Sequence, residues 1–416
     1  MGDEEQTRLV QLMAKASQAI RKHDVLQLRD ASRDAINEAS ISQDANSLSL
    51  AVIIYSIVKI MERGNSDVGK SAILLEHAQA HFQKGKELAY KNELKKLFGF
   101  ISDADKRLKF FINEVIAETR IKKGGGLYEH GISVGQAASL LDVSMWDLMN
   151  YVGKIRASNI YVGGISPKKR METARSLFTA IPAKKSLVFD AGPVISLTTN
   201  NLLRIVAQLK ARFDGEFILP ESVRQELVDR PLEIKRFEFE ALQVQQEIGC
   251  KNLTVLPDAK TREAAERLLS LANSLLIVRG KRLKIVHYGE MSTIAAAKMY
   301  NARVVVIDER TTRDLIENPE SLAAHIKDKL QAKVRVDDAV LKELKAELKG
   351  LQVIRSAELV AVAFELGLLD TYVNKCAVPD ANVRKVLLDS VLWGVKLHGC
   401  AISKEEILQI LKGEKF

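Results

Sequence analysis

The sequence predicts an all-α N-terminal stretch followed by an α/β half built on a parallel sheet with helices on both faces. Three observations predict it. Apolar residues recur at helical spacing through residues 1–122, a stretch without proline. After Pro182, short β-rich runs alternate with long helical ones, the pattern of a parallel sheet covered on both sides. Two of those runs, "SLVFDAG" and "VVVIDER", finish on an acid, Asp190 and Asp308. Open parallel sheets bind ligands beyond the carboxyl ends of their strands. Both acids therefore fall where a site would form.

With 416 residues and 47% hydrophobic composition, the chain has room for two or three domains with ordinary cores. No uninterrupted apolar run reaches about 18 residues, so no membrane span is expected. The start, "MGDEEQTRLV", is acidic and lacks the apolar stretch of a secretory signal. Gln6 stands where a myristoylation motif wants Ser or Thr. Cys250, Cys376 and Cys400 lie far apart, which fits neither a disulfide framework nor a zinc site and suits a reducing, cytoplasmic setting. The formal net charge is +9 and the pI about 9.2. Such an excess favours a polyanionic partner, or simply keeps a soluble chain apart; composition leaves the two even.

The N-terminal elements follow in order. "LVQLMAKASQAI", "LSLAVIIYSIVKIME" and "KRLKFFINEVIAET" read as helices that pack on helices, giving residues 1–122 a scaffold, partner-binding or homodimer role. His77 and His81 stand four apart on a helix, but no third metal ligand is near them. "RIKKGGG" reads as a hinge at Gly124–Gly126. It is not a phosphate loop, because no Lys-Ser or Lys-Thr follows. Residues 127–165 then resemble a helix-turn-helix. Ser133 caps a helix running to Leu141, and Ser144 caps a second from Met145 to Val152. The second helix presents Trp146, Asp147, Asn150 and Tyr151, with Lys154 and Arg156 the nearby bases. An Asp facing phosphates is unfavourable. A packing or protein-contact role therefore ranks above sequence-specific DNA binding. "SPKKRMETARSLF" falls in a basic linker, residues 166–185.

Residues 186–416 form the α/β half. Its strand candidates are "KSLVFDAG", "GEFILP", "NLTVLP", "ARVVVID" and "GLQVIRS". Glu226 lies a turn and a half into the helix that starts at Pro220, and Glu290 in the first turn of an Ala-rich helix. Taken singly, each acid has an ordinary reading. Glu290 is a first-turn helix acid. Glu226 is surface charge, with Glu221 its rival. Glu309 stands ready to replace Asp308. Arg313 is a salt-bridge partner, and His287 packs or faces solvent. Only the ensemble on one sheet edge points to a site.

Asp190 in "FDAGPVISL", Glu226 in "LPESVRQEL", Glu290 in "GEMSTIAAAK" and Asp308 in "VVVIDERTTRDLIE" together resemble the four acidic blocks of the PIN domain. "VIRSAELVAVAFELGLLD" and "LWGVKLHGCAISKEEILQIL" resemble its last strand and C-terminal helices. The resemblance covers about residues 186–416. It implies a Rossmann-like α/β/α sandwich and a metal-dependent endoribonuclease that leaves a 3′-hydroxyl and a 5′-phosphate. Arg313 falls where such proteins keep a basic residue after the fourth acid. It would hold a phosphate or brace a carboxylate.

Chemistry agrees with the resemblance. Crowded carboxylates repel one another and retain protons unless a dication compensates them. Oxygen-only donors favour Mg²⁺ or Mn²⁺. Asp190, Glu226, Glu290 and Asp308 are the expected metal ligands, and RNA the expected partner. Two other readings compete: a catalytically weak PIN-like RNA-binding scaffold, and a toxin-like nuclease fused to a helix-turn-helix regulator. Residues 233–284 and 316–350 exceed what compact PIN domains contain and read as helical insertions serving as a lid, a dimer surface or an RNA clamp.

Overall fold

Helical periodicity in the first part of the chain folds as expected, into helices Asp3–Arg21, Val25–Ser42, Ala45–Glu62, Gly69–Gln83, Glu87–Ala104 and Ile112–Glu129. The computed structural model describes residues 3–62, 68–104, 112–155, 164–179, 185–330, 332–373 and 382–414. Arg156, Cys376 and the start of "KRLKFFINEVIAET" lie outside them. The chain divides into two compact units. One is Met1–His130 with Ala137–Val143 and Lys329–Gln331; the other is Gly131–Gln136, Ser144–Asp328 and Ala332–Phe416. The boundary thus falls inside the helix-turn-helix-like segment rather than around it.

One finding in the helical unit bears on the membrane expectation, and another changes the reading of the glycine run. Helix Ala45–Glu62 is, by its 18 residues and mean hydropathy of 1.4, long and apolar enough to cross a membrane, although 67% of it is buried within the unit. Leu50, Ile53, Ile54 and Ile57 are fully buried, so this helix is the unit's core. The glycine run is no hinge either. Gly124–Gly126 lie inside helix Ile112–Glu129. A Cβ on Gly126 would sit 3.2 Å from Ile36 Cγ1, so the absent side chain lets this helix approach Val25–Ser42 closely. In the same unit Lys123 is buried, with its Nζ 3.0 Å from Ser32 Oγ and over the Tyr55 ring at 4.5 Å. Burial pushes its amine down to about 7.

All five expected strands form. They are β1 (Lys185–Phe189), β2 (Gly215–Pro220), β3 (Thr254–Leu256), β6 (Val304–Val306) and β8 (Gln352–Ile354), in one parallel sheet of order β3-β2-β1-β6-β8. Pairing of Phe189 with Val306, and of Val306 with Ile354, brings the carboxyl ends of the three strands level. Helix Tyr288–Met299 covers one face; Ala296 and Ala297 pack on Val188, Ile218 and Val305. On the other face Phe189, Phe217 and Phe213 stack successively, with centroids 5.2 Å and 5.0 Å apart. This is a PIN-like α/β fold preceded by an all-helical region.

The insertions are not helices alone. β4 (Leu276–Val278), in the first insertion, pairs antiparallel with β5 (Lys281–Arg282) and with β7 (Val334–Val336), in the second. Helices Arg262–Ala272 and Asp338–Leu348 join through Arg267, which reaches Glu343 at 2.9 Å and Glu347 at 3.0 Å. The two insertions therefore build one subassembly. Three-residue strands are too short to show alternation in sequence.

Helices flanking the sheet change roles as well. The expected linker contains helix Pro167–Thr179, anchored by Arg170: its guanidinium meets both Glu317 oxygens at 2.5 and 2.6 Å and donates to Val353 O at 2.8 Å. The second helix of the helix-turn-helix-like pair, Met145–Ile155, buries Trp146, Leu148, Met149 and Val152, and Trp146 stacks on Phe237 at 5.5 Å. A Cβ on its Gly153 would lie 2.3 Å from Leu397 O, so backbone meets backbone there. Asp147 pairs with Arg236 at 2.9 Å. Among the described residues, this helix committed to packing has Lys154 as its exposed base.

Behind β8 lies a buried ionic cluster. Arg355 meets Glu358 at 2.6 Å and Glu406 at 2.9 Å, and it shares the Ala401 carbonyl with Arg313. Despite burial, the charges of Arg355 and Arg313 hold Glu406 down to about 2. Because this value lies below the ordinary 4.5, the stability Glu406 contributes is present above about pH 4.5 and is lost as pH falls towards 2. Glu406→Gln is expected to flatten the acid limb of a stability–pH curve over that window. Removing one partner of a buried pair leaves an uncompensated charge, so Arg355→Met should destabilise by about 3–5 kcal/mol in urea unfolding. A loss under about 1 kcal/mol would show the pair to be dispensable.

Candidate active site

Sheet geometry delivers the acids to one edge. Asp190 follows β1, and its N–H donates to Val306 O at 3.1 Å. It caps helix Ala191–Thr199 and accepts from Gly192 N at 3.4 Å. At Gly192 a Cβ would come 3.3 Å from Asp308 Cβ and 3.5 Å from Met149 Cε, a close fit. Glu226 sits in a π-helical turn, Gln225–Asp229, that widens the helix after β2; such turns collect at functional sites. Its rival Glu221 is engaged by Arg224 at 2.7 Å. Glu290 occupies the third position of helix Tyr288–Met299, where one oxygen accepts from His287 N at 2.7 Å. Gly289 admits Glu226, since a Cβ there would lie 2.8 Å from its Oε1.

At the fourth position the two adjacent acids are held differently. Asp308 is fully buried and saturated. It accepts from Ser196 Oγ at 2.7 Å, Ser356 N at 2.7 Å and Ser356 Oγ at 2.6 Å, with the Cys400 thiol also on it. It ties β6 to the start of helix Ser356–Glu365 and to the C-terminal segment. Its neighbour Glu309 instead shares the charge field of Asp190 and Glu290. Glu309 caps helix Arg310–Glu317, accepting from Thr311 N at 2.7 Å and Thr312 N at 2.6 Å. Arg313, expected near phosphate, is buried; it donates to Ala401 O at 3.0 Å and its charge acts on Glu406. Through these contacts it braces the C-terminal helix.

Asp190, Glu226, Glu290 and Glu309 are 1%, 9%, 2% and 2% exposed. Burial, then the negative charge of Glu226, pushes Asp190 up to about 7. Burial, then Glu309 and Asp190, pushes Glu290 well above the usual carboxylate range, with the Ser133 hydroxyl partly offsetting this. Burial also raises Glu309, against the two backbone N–H groups that cap it. Burial and neighbouring negative charge thus favour retained protons on Asp190 and Glu290, and burial does so on Glu309.

Three further residues shape this centre. Ser133 and Gly135 line Glu290; a Cβ on Gly135 would lie 3.0 Å from its Oε1. His287 brings Nδ1 within 3.3 Å of Glu226 Oε1 while its backbone holds Glu290. Ser133 was legible only as a helix cap, and His287 as a neighbour of Glu290. His77 and His81 join no group of three ligands among the described residues. His398 Nδ1 turns to Gly394 O at 2.9 Å.

Comparison with known proteins fits this geometry. Residues 186–320 match the model of a PIN domain family. No curated protein and no solved structure matches the chain. The PIN match takes in β1 through the helix after β6, hence all four acids; β8 extends the same sheet beyond it. PIN domains are generally nucleases and typically use divalent metals.

One observation bears on such a cation. Two buried carboxylate oxygens, Asp190 Oδ1 and Glu290 Oε1, have no hydrogen-bond partner, an arrangement that native proteins rarely leave uncompensated. Among the described residues no group of three or more acid, His or Cys side chains is placed to hold a metal ion. A small octahedral dication that keeps its waters needs only one or two carboxylates, so an open site suffices.

Asp190 gives a test without catalysis. Its folded value near 7 exceeds the ordinary 3.8, so its contribution to stability is full below about pH 3.8 and is lost as pH rises through 7. In chelator at pH 8, Asp190→Asn is expected to unfold at a higher temperature than wild type, with the advantage vanishing near pH 4. Added Mg²⁺ or Mn²⁺ should raise the wild-type midpoint and leave that of Asp190→Asn nearly unmoved.

Proposed function

We propose that the chain is a metal-dependent endoribonuclease that cleaves RNA phosphodiester bonds at the Asp190–Glu290 centre. The observation that carries this reading is the pair of buried, unpartnered carboxylate oxygens within a run of four buried acids at the carboxyl edge of a PIN-type sheet. Asp190 and Glu290 would hold Mg²⁺ or Mn²⁺, with Glu226 and Glu309 completing the negative field. Bound there, such an ion lowers the pKa of water, orients it towards the phosphodiester and offsets charge on the leaving oxygen.

The protein's own groups do the rest. Thr311 and Thr312 N–H fix Glu309, and His287 N–H fixes one Glu290 oxygen, leaving the other without a hydrogen-bond partner. Helix dipoles behind Asp190 and Glu309 favour their ionised forms. Glu226 and His287 are the centre's most exposed members, which makes their side the expected approach for substrate.

Purified protein incubated with single-stranded RNA and Mn²⁺ is expected to cut it, leaving 5′-phosphate ends, and to stop with chelator. Asp190→Asn, Glu290→Gln and Glu309→Gln should each lower the rate by roughly a hundredfold or more. Asp308→Asn should act mainly on stability, through lost bonds to Ser196 and Ser356. If wild type and the three variants are equally inert while binding RNA, a PIN-like RNA-binding scaffold replaces the nuclease; the near-complete burial of the acids favours that outcome.

A further inference from the structure

One segment over the acid centre comes from outside the PIN match. Residues 131–136, "GISVGQ", lead into the first turn of helix Val134–Leu141, and all six are buried. This strap is fastened beside the acids' own supports. Ser133 N–H donates to Ile285 O at 2.7 Å, two residues before the His287 that holds Glu290. Thr311 Oγ1 donates to Gly131 O at 3.2 Å, while Thr311 N–H caps Glu309. Gly131 is left-handed at φ 90°, and a Cβ on it would collide with Ile326, so backbone is pressed on that side chain. Ile132 and Val134 supply buried apolar anchors. Gly135 completes the cover. A Cβ on it would lie 3.0 Å from Glu290 Oε1 and 3.2 Å from His287 Cβ. Glu290 Oε1 is one of the two buried oxygens without a hydrogen-bond partner. The atom offered to a cation is therefore the atom on which the strap lies.

We propose that residues 131–136 are an autoinhibitory strap: seated as here, they exclude a hydrated dication and RNA from Glu290, and they lift before the centre loads. An octahedral ion bound through Glu290 Oε1 keeps several waters, and those waters need the space that Gly135 fills. The near-complete burial of Asp190, Glu290 and Glu309 is then a property of the closed form rather than of the working centre. Residues through His130 and from Ala137 belong to the helical unit, so the strap is joined to that unit at both ends. That continuity gives the helical unit a route to the strap along the chain. The inference rests on the nuclease reading for what is excluded, not for the exclusion.

Accessibility of Glu290 tests it without catalysis. The full chain, in chelator, is treated with a water-soluble carbodiimide and glycinamide, and amide formation on Glu290 is timed by peptide mass spectrometry. Ile132→Ser removes a buried anchor, and Gly131→Ala forces a Cβ onto Ile326. Both are expected to amidate Glu290 about tenfold faster than wild type, with exposed Glu405 unchanged. Ile132→Val, which keeps the anchor, should match wild type. So should Leu344→Ala, which loosens the core under helix Asp338–Leu348 and separates lifting of the strap from general destabilisation. Equal Glu290 amidation in wild type and both strap variants, while deuterium exchange shows the Ser133 amide freed, overturns the proposal even if wild type cleaves RNA. In a second arm, Mn²⁺ binding followed by paramagnetic resonance is expected to tighten about tenfold in the two variants, and RNA cleavage to rise with it. Faster amidation with no Mn²⁺ bound by any form upholds the strap and removes the nuclease reading. Faster amidation with Mn²⁺ bound equally by all forms overturns the strap, since it then withholds nothing the cation needs.

Discussion

Negative charge kept out of water is the constraint on which the α/β unit depends. A parallel sheet ends its central strands at one edge, and here that edge receives Asp190 and Glu309 directly, with Glu226 and Glu290 supplied by flanking helices. Each would hold its charge easily in water. Burial and neighbouring charge raise the proton affinity of Asp190 and Glu290, and burial that of Glu309; local devices only partly counter this: helix caps at Asp190 and Glu309 and a capping box at Glu290. The residual imbalance is what a dication would relieve. It also explains the small residues around the centre, since Gly192, Gly289 and Gly135 leave room where a methyl group would collide with carboxylate or neighbouring side chain.

A second buried charge system, of opposite logic, stands behind the same sheet. Arg170, Arg313 and Arg355 are set against Glu317, Glu358 and Glu406, so positive and negative groups are balanced within the cluster. Balance removes the need for an external ion, and the cluster serves assembly: it joins helix Pro167–Thr179, β8 and the C-terminal helix Lys404–Gly413. The contrast separates structural from functional burial. Paired charges fix elements in place, whereas unpaired like charges await a partner. Asp308 belongs to the structural side, since hydroxyl and backbone donors satisfy it.

The insertions show how short elements escape local reading. Strands of two or three residues, such as β4, β5 and β7, gain their identity by pairing with each other across more than fifty residues of chain. Their charged residues look like ordinary solvated helix or loop surface in sequence. Only the pairing gathers them on one small sheet. The glycine run at 124–126 errs in the opposite direction: locally it signals a hinge, yet close helix packing against Ile36 makes it helical.

The sequence by itself determined the strands of the main sheet and the carboxyl-edge position of the acids. Apolar periodicity, turn residues and the switch from helical to β-rich texture are local properties that any fold must satisfy. Tertiary structure alone decided which acids face one another. Asp308 and Glu309 are adjacent in sequence and equally plausible, yet Ser196, Ser356 and Cys400, brought in from distant segments, bind Asp308, whereas the Thr311 and Thr312 N–H groups cap Glu309. Glu221 and Glu226 were parted likewise, by Arg224 and by a widened helical turn. Side-chain direction depends on long-range partners, and periodicity carries no record of them.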